Sequence, residues 1–195
     1  MRSELHRTIA ADLFRYRGQL GRRALVAAWL EDPGFRFTYH LRHVAHLAPR
    51  RRSLALLPYL WHRWQLHRCR FRFGYDVSPT TRIGPGFYIG HFGSLVINPA
   101  AVIGRDCNLN QGVTIGATSR GKRLGAPTLG DRVWVGANAV IVGNIIIGSD
   151  ALIAPGAFVN ADVPANAVFL GNPGKVVALT GSAGYVNRTL DDHHP

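Results

Sequence analysis

One histidine in the middle of this 195-residue chain carries its strongest chemical signal. Of nine histidines, six lie in residues 1–75 and two in the last few positions, so His91 stands alone between them, in Ile89-Gly90-His91-Phe92-Gly93-Ser94. Flanking glycines leave its ring accessible, and an imidazole with a pKa near neutrality can take a proton from a hydroxyl. Such a base works best with an acid that fixes its tautomer, and Asp76 precedes it in the chain. A solitary histidine can also be structural, and spacing alone leaves both readings open. Cys107 is a weaker candidate: it falls where a small apolar group is required, which favours packing over nucleophilic chemistry.

The element that must position these residues is a six-residue repeat running from Val77 to about Leu170. Each phrase starts with an aliphatic residue followed by Gly or Asn, as in Ile83-Gly84, Ile89-Gly90, Ile97-Asn98, Ile103-Gly104, Leu109-Asn110 and Ile115-Gly116, and later Leu129-Gly130, Val135-Gly136 and Ile147-Gly148. Fifth positions are small or apolar, among them Ala101, Cys107, Val113, Val133, Ala139, Ala151 and Ala157. A period of six suits neither a helix at 3.6 nor a lone strand at 2. One short strand plus one turn per phrase predicts a parallel β-helix, with three phrases to a coil and about five coils. The aliphatic residues should fill the interior, and the Gly or Asn beside each should sit at a corner where φ can be positive. His91, at a third position, should point outward. The period slips twice: eight residues replace six between Ile89 and Ile97, and fourteen replace twelve between Ile115 and Leu129. The second slip holds the polar, basic, Gly-rich stretch 117–127, expected to loop out of the coil and carry function.

Composition bounds the rest. An apolar share of 47% supports one core plus a smaller element; no run of 18 uncharged apolar residues exists, and Met1-Arg2-Ser3-Glu4 does not begin a signal peptide. Two cysteines suit a reducing cytoplasm. Residues 1–75 hold 15 Arg against 4 acids, whereas residues 76–195 are almost balanced, so nearly all of the net charge of +12 lies in the leader. That leader is expected to be helical, with one segment reaching Tyr16, another over Leu20–Leu30 stopping before Pro33-Gly34, and later ones bounded by Pro49 and perturbed at Pro58. Residues 50–64 mix arginines with leucines and aromatics, which fits either a packing helix with solvated arginines or a helix resting on an anionic membrane. Nucleic-acid binding is disfavoured, since no recognised binding signature accompanies the charge. Asp191-Asp192-His193-His194-Pro195 reads as a charged tail rather than a metal site, and Gly84-Pro85-Gly86 does not continue as a dinucleotide fingerprint.

Several motifs together make residues 76–177 resemble the hexapeptide-repeat acyltransferases, and within them the serine acetyltransferases. They are Tyr75-Asp76-Val77-Ser78-Pro79, Arg82-Ile83-Gly84, Gly90-His91, Asn110-Gln111-Gly112-Val113-Thr114-Ile115-Gly116, Val135-Gly136-Ala137 and Gly171-Asn172-Pro173-Gly174-Lys175-Val176-Val177. The resemblance implies a mainly β fold, a left-handed parallel β-helix over 76–179 behind a basic α-helical region 1–75, with a tail at 180–195. It also implies a homotrimer with active sites between prisms and acetyl-CoA as cosubstrate, without a metal. Under it His91 matches the general base and Asp76 its carboxylate partner, Ala117, Ala137 and Pro155 match positions lining the CoA pantetheine, and Lys175 matches a basic residue facing its phosphates. Departures are equally informative. Where serine acetyltransferases carry an acid before the catalytic histidine, and an arginine and a second histidine in the loop, this sequence has Gly90, Gly125 and Ala126. Losing a clamp on a charged amino acid argues for a less charged acceptor. The short basic leader also resembles that of polysaccharide-associated O-acetyltransferases, so the expectation is an acetyl-CoA-dependent O-acetyltransferase acting on a sugar hydroxyl of a cell-envelope polysaccharide or its precursor, cytoplasmic and at the inner face of the membrane. Serine O-acetyltransferase is the alternative, and a noncatalytic β-helix binding module a second one.

Overall fold

The computed structural model describes residues 4–50 and 54–190. Four helices precede the solenoid: α1 (Glu4–Arg17), α2 (Arg22–Glu31), α3 (Pro33–Leu47) and α4 (Leu56–Phe73). Pro33 opens α3 at a position where its missing N–H is not needed. Pro58 does not perturb a helix as expected, because it falls in the first turn of α4, where a proline ring is tolerated for the same reason. Gly74, in the left-handed conformation at φ 73, ends α4 and turns the chain into the first strand at Tyr75.

From there the chain winds as a parallel β-solenoid of about five turns, matching a left-handed β-helix. Its three faces are parallel ladders joined in register. Inward aliphatic residues stack as Val77, Ile97, Ile115, Ile141 and Val159 on the first face. The second stacks Ile83, Ile103, Leu129 and Ile147. The third stacks Ile89, Leu109, Val135, Ile153 and Phe169. All but the partly buried Ile83 are nearly inaccessible, and so are the fifth-position residues Ala101, Cys107, Val113, Val133, Ala139, Ala151 and Ala157. Burial pushes the Cys107 thiol up to about 12, so it is a small apolar filler and not a nucleophile. The third face ends in an antiparallel hairpin over residues 168–178.

Two details of the repeat differ from expectation. Left-handed backbone falls at the fourth position of the phrase, at Asp106, Arg132, Asn138 and Asp150, and not at the second. Glycine occupies second positions for another reason: a Cβ on Gly104 would lie 2.3 Å from Gly130 O, and one on Gly148 would lie 2.3 Å from the backbone N of Ala165. Adjacent coils simply approach too closely there for a side chain. The second slip is also longer than the sequence suggested. Strands at 114–116 and 128–129 are consecutive, so fourteen residues replace six and no phrase is hidden in the loop. The loop closes on itself through an antiparallel bridge between Thr118 and Gly125.

Helices α1 and α3 are stitched to the prism by buried charges. Asp12, fully buried, accepts from the backbone N–H of Phe87 at 2.9 Å and from Arg42 Nε at 2.9 Å, while Arg42 also donates to the carbonyls of Ile83 and Gly84. Arg15 donates to Asn187 O at 2.8 Å, to Gly86 O and to Asn108 Oδ1. Part of the leader's positive charge is therefore structural, each guanidinium saturated by carbonyls and a carboxylate as burial demands.

Candidate active site

His91 stands exposed at the corner between the third and first faces, where the two extra residues of the first slip widen the turn. The turn is held from below. Gly93 N donates to Phe73 O at 2.9 Å and Leu95 N to Gly74 O at 2.9 Å, so the bulge rests on the junction of α4 with the first strand. The hydroxyl of Tyr75, whose ring is buried, reaches the carbonyl of His91 at 3.4 Å. A backbone fixed in this way with a free ring above it suits a base that must be accessible yet positioned.

Asp76 lies on an outward position of the first strand, in register with Val96. The expected contact is not formed: its carboxylate pairs with Arg70, and among the described residues no hydrogen bond joins Asp76 to His91. The cause is local. Arg70 lies one turn before the Gly74 cap, whose N–H donates to Arg70 O, and from there its guanidinium reaches the first outward carboxylate of the solenoid. Asp76 and His91 thus share one end of the prism without touching.

Below His91 the same corner recurs in each coil. Register along Ile89, Leu109, Val135 and Ile153 places His91, Gln111, Ala137 and Pro155 in one column along this edge. Asn138 N donates to Gln111 O and Gly156 N to Ala137 O, which ties the rungs together. Two of the residues expected to line a pantetheine, Ala137 and Pro155, are therefore aligned beneath His91. Ala117 is not: it is exposed at the far end of the first face, where the loop begins. Lys175 is exposed on the terminal hairpin of the third face, opposite Leu170. Sequence reasoning missed Gln111. Its side-chain oxygen is buried without a hydrogen-bond partner one rung from His91, and a Cβ on Gly93 would touch its Cβ at 3.4 Å. The signal was available, since Gln111 occupies the same third position of the phrase one coil later.

The positions that depart from the family pattern are built around small residues. A Cβ on Gly90 would meet Asn110 Oδ1 at 2.6 Å, and Gly125 sits at φ 126 with Asn144 beside it. Ala126 packs against the core. Next to Gly90, on the third face, a cavity of about 320 Å³ is lined by the aromatics Tyr88, Trp134 and Tyr185, by Asn110, and by the cationic Arg15 and Arg188. Among the described residues no group of three or more His, Cys, Asp or Glu side chains is placed to hold a metal; residues 191–195, the charged tail, lie outside the described residues.

This fold and repeat define the hexapeptide-repeat transferase class, and residues 126–161 match the family model of the bacterial transferase hexapeptide. A serine acetyltransferase from Synechococcus elongatus is 38% identical over 115 residues, 59% of this chain and 47% of that protein. The chain thus matches about half the length of this curated relative. The crystal structure of Neisseria gonorrhoeae serine acetyltransferase in complex with serine superposes with a TM-score of 0.70 at 32% identity, covering 90% of this chain and 69% of that one. A serine acetyltransferase solved in complex with CoA gives a TM-score of 0.70 at 25% identity, over 89% of this chain and 69% of that one. The chain belongs to the serine acetyltransferase-like branch of this superfamily. Likeness to polysaccharide-associated enzymes, expected from the sequence, finds no support in these comparisons.

Proposed function

We propose that this chain transfers an acetyl group from acetyl-CoA to an acceptor hydroxyl, with His91 as general base. The observation that carries the reading is the exposed imidazole on an anchored turn, at the head of the column formed with Gln111, Ala137 and Pro155. The imidazole removes the hydroxyl proton as the oxygen attacks the thioester carbonyl. The tetrahedral intermediate then expels the CoA thiolate, which takes the proton back from the imidazolium. Ala137 and Pro155 on one edge and Ala117 on another cannot line one groove within a single prism. Side-by-side packing of two prisms would join the edges, which supports a trimer with CoA between neighbours and Lys175 toward its phosphates. A noncatalytic binding module would have no use for the anchored base.

Family membership favours L-serine as acceptor, reversing the ranking expected from the sequence. A second reading, a sugar hydroxyl, rests on Gly90, Gly125 and Ala126, which lack groups to hold a carboxylate and an ammonium. The experiment follows thiol release from acetyl-CoA with serine and with a panel of nucleotide sugars and oligosaccharides. Saturable turnover with serine supports the first reading and turnover with a sugar the second. In either case His91→Ala should lose roughly 10²- to 10⁴-fold in turnover while remaining folded. Full activity in that variant would refute the proposal.

A further inference from the structure

Helix α4 has two apolar faces, and only one of them is covered, by α3 and the first strand of the prism. Tyr59, Leu66, Cys69 and Phe73 are buried against the core. Leu57, Leu60, Trp61, Trp64 and Phe71, on the opposite side of the same helix, are between 49 and 77% exposed. At 100° per residue these five fall on one stripe, with Arg68 in its middle. The rings of Trp61 and Trp64 lie 5.3 Å apart, and the Arg68 guanidinium sits 4.8 Å over Trp64. An aligned apolar stripe of this length in water signals a missing partner.

Charge identifies the partner's chemistry. Between Pro33 and Tyr75 the chain has no Asp or Glu, and α4 itself carries Arg63, Arg68, Arg70 and Arg72. Among the described residues, Arg70 alone of these four is engaged by a carboxylate, that of Asp76. Pairing two copies of this face would set arginines against arginines, and the remainder of the chain, close to neutral overall, carries no excess of acid to draw it. Tryptophans beside arginines on one side of a helix, with leucines between them, match the interface of an anionic bilayer: hydrocarbon accepts the leucines, the headgroup layer accepts the indoles, and phosphates meet the guanidiniums. A nucleic acid would satisfy the arginines but leave Leu57 and Leu60 in water.

We propose that the outward face of α4 docks this protein on an anionic lipid surface, lying along it. Among the described residues no helix is long and apolar enough to cross a membrane, so the contact would be peripheral. The proposal is independent of acetyl transfer. Its test is co-sedimentation of the full chain with vesicles of phosphatidylcholine alone and of equimolar phosphatidylcholine and phosphatidylglycerol. Binding should favour the anionic vesicles, weaken with salt, and fall roughly tenfold or more in the double variant Trp61→Glu, Trp64→Glu. Because both side chains are outside the core, that variant should keep its circular dichroism spectrum and melting temperature. Arg68→Gln offers a milder second probe that should reduce binding without adding negative charge. No preference for anionic vesicles, or undiminished binding in both variants, overturns the proposal. So does a change of oligomeric state in the tryptophan variant, which would assign the face to a second copy.

Discussion

Arg70 holds the carboxylate that His91 was expected to use. An exposed ion pair of this kind is weak, since both groups remain hydrated, so it can be exchanged when a substrate arrives. If Asp76 supports the base during turnover, Asp76→Asn should lower kcat, though by less than His91→Ala, while Arg70→Gln frees the carboxylate and leaves kcat equal or raised. A loss in Arg70→Gln as large as that in Asp76→Asn would show that the ion pair is itself required. Steady-state kinetics on the three variants checks this. At this scale the sequence was legible for His91, whose place on an outward corner follows from counting in sixes. It was not legible for Asp76, because the competing arginine comes from a helix whose orientation no repeat encodes. Gln111 escaped because a buried amide oxygen without a partner is a property of packing, not of spacing.

Helices α3 and α4 meet through imidazoles. His40 and His62 approach with their Nδ1 atoms 3.0 Å apart, and His43 stacks on His62 with centroids 4.1 Å apart. Trp29 Nε1 lies 3.4 Å from His40 Nε2, and Arg36 also faces the cluster electrostatically. Burial, reinforced by the neighbouring imidazoles, holds His40 down at about 3 and His62 at about 4, and lowers His43 as well. These rings are therefore neutral when folded and take up protons below about pH 6.5 when unfolded. Stability from this source is fully present above pH 6.5 and is lost as pH falls toward the folded values. Its slope is at most about 1.4 kcal/mol per pH unit, approached by the buried His40 and smaller for the more exposed, solvent-screened His62. Denaturant midpoints should drop steadily between pH 6.5 and 5, and a flat profile there would contradict the arrangement. The existence of these helices could be read from caps and prolines. Their mutual packing could not, since a histidine cluster in a basic leader resembles any other polar stretch until two helices bring it together.

For the whole molecule, the three-sided prism was the most legible part, because one aliphatic residue in six repeats over many phrases and each copy obeys the same steric rule. The two reasons for small or special residues were harder to separate. Close approach between coils dictates glycine at position two, while left-handed backbone is carried at position four by Asp, Arg and Asn. The distinction is measurable by thermal melting. Gly148→Ala, which drives a Cβ into Ala165, should cost about 1–3 kcal/mol, whereas Asn138→Gly, at φ 58, should be close to neutral.

The terminal hairpin of the third face has one more consequence. A parallel ladder is an open template at both ends, and another molecule could in principle continue the staircase indefinitely. Here α4 abuts the first rung, and at the other end the chain doubles back so that its last strand runs against the others. A newcomer would meet a strand of the wrong direction, which interrupts the parallel stacking pattern along that face.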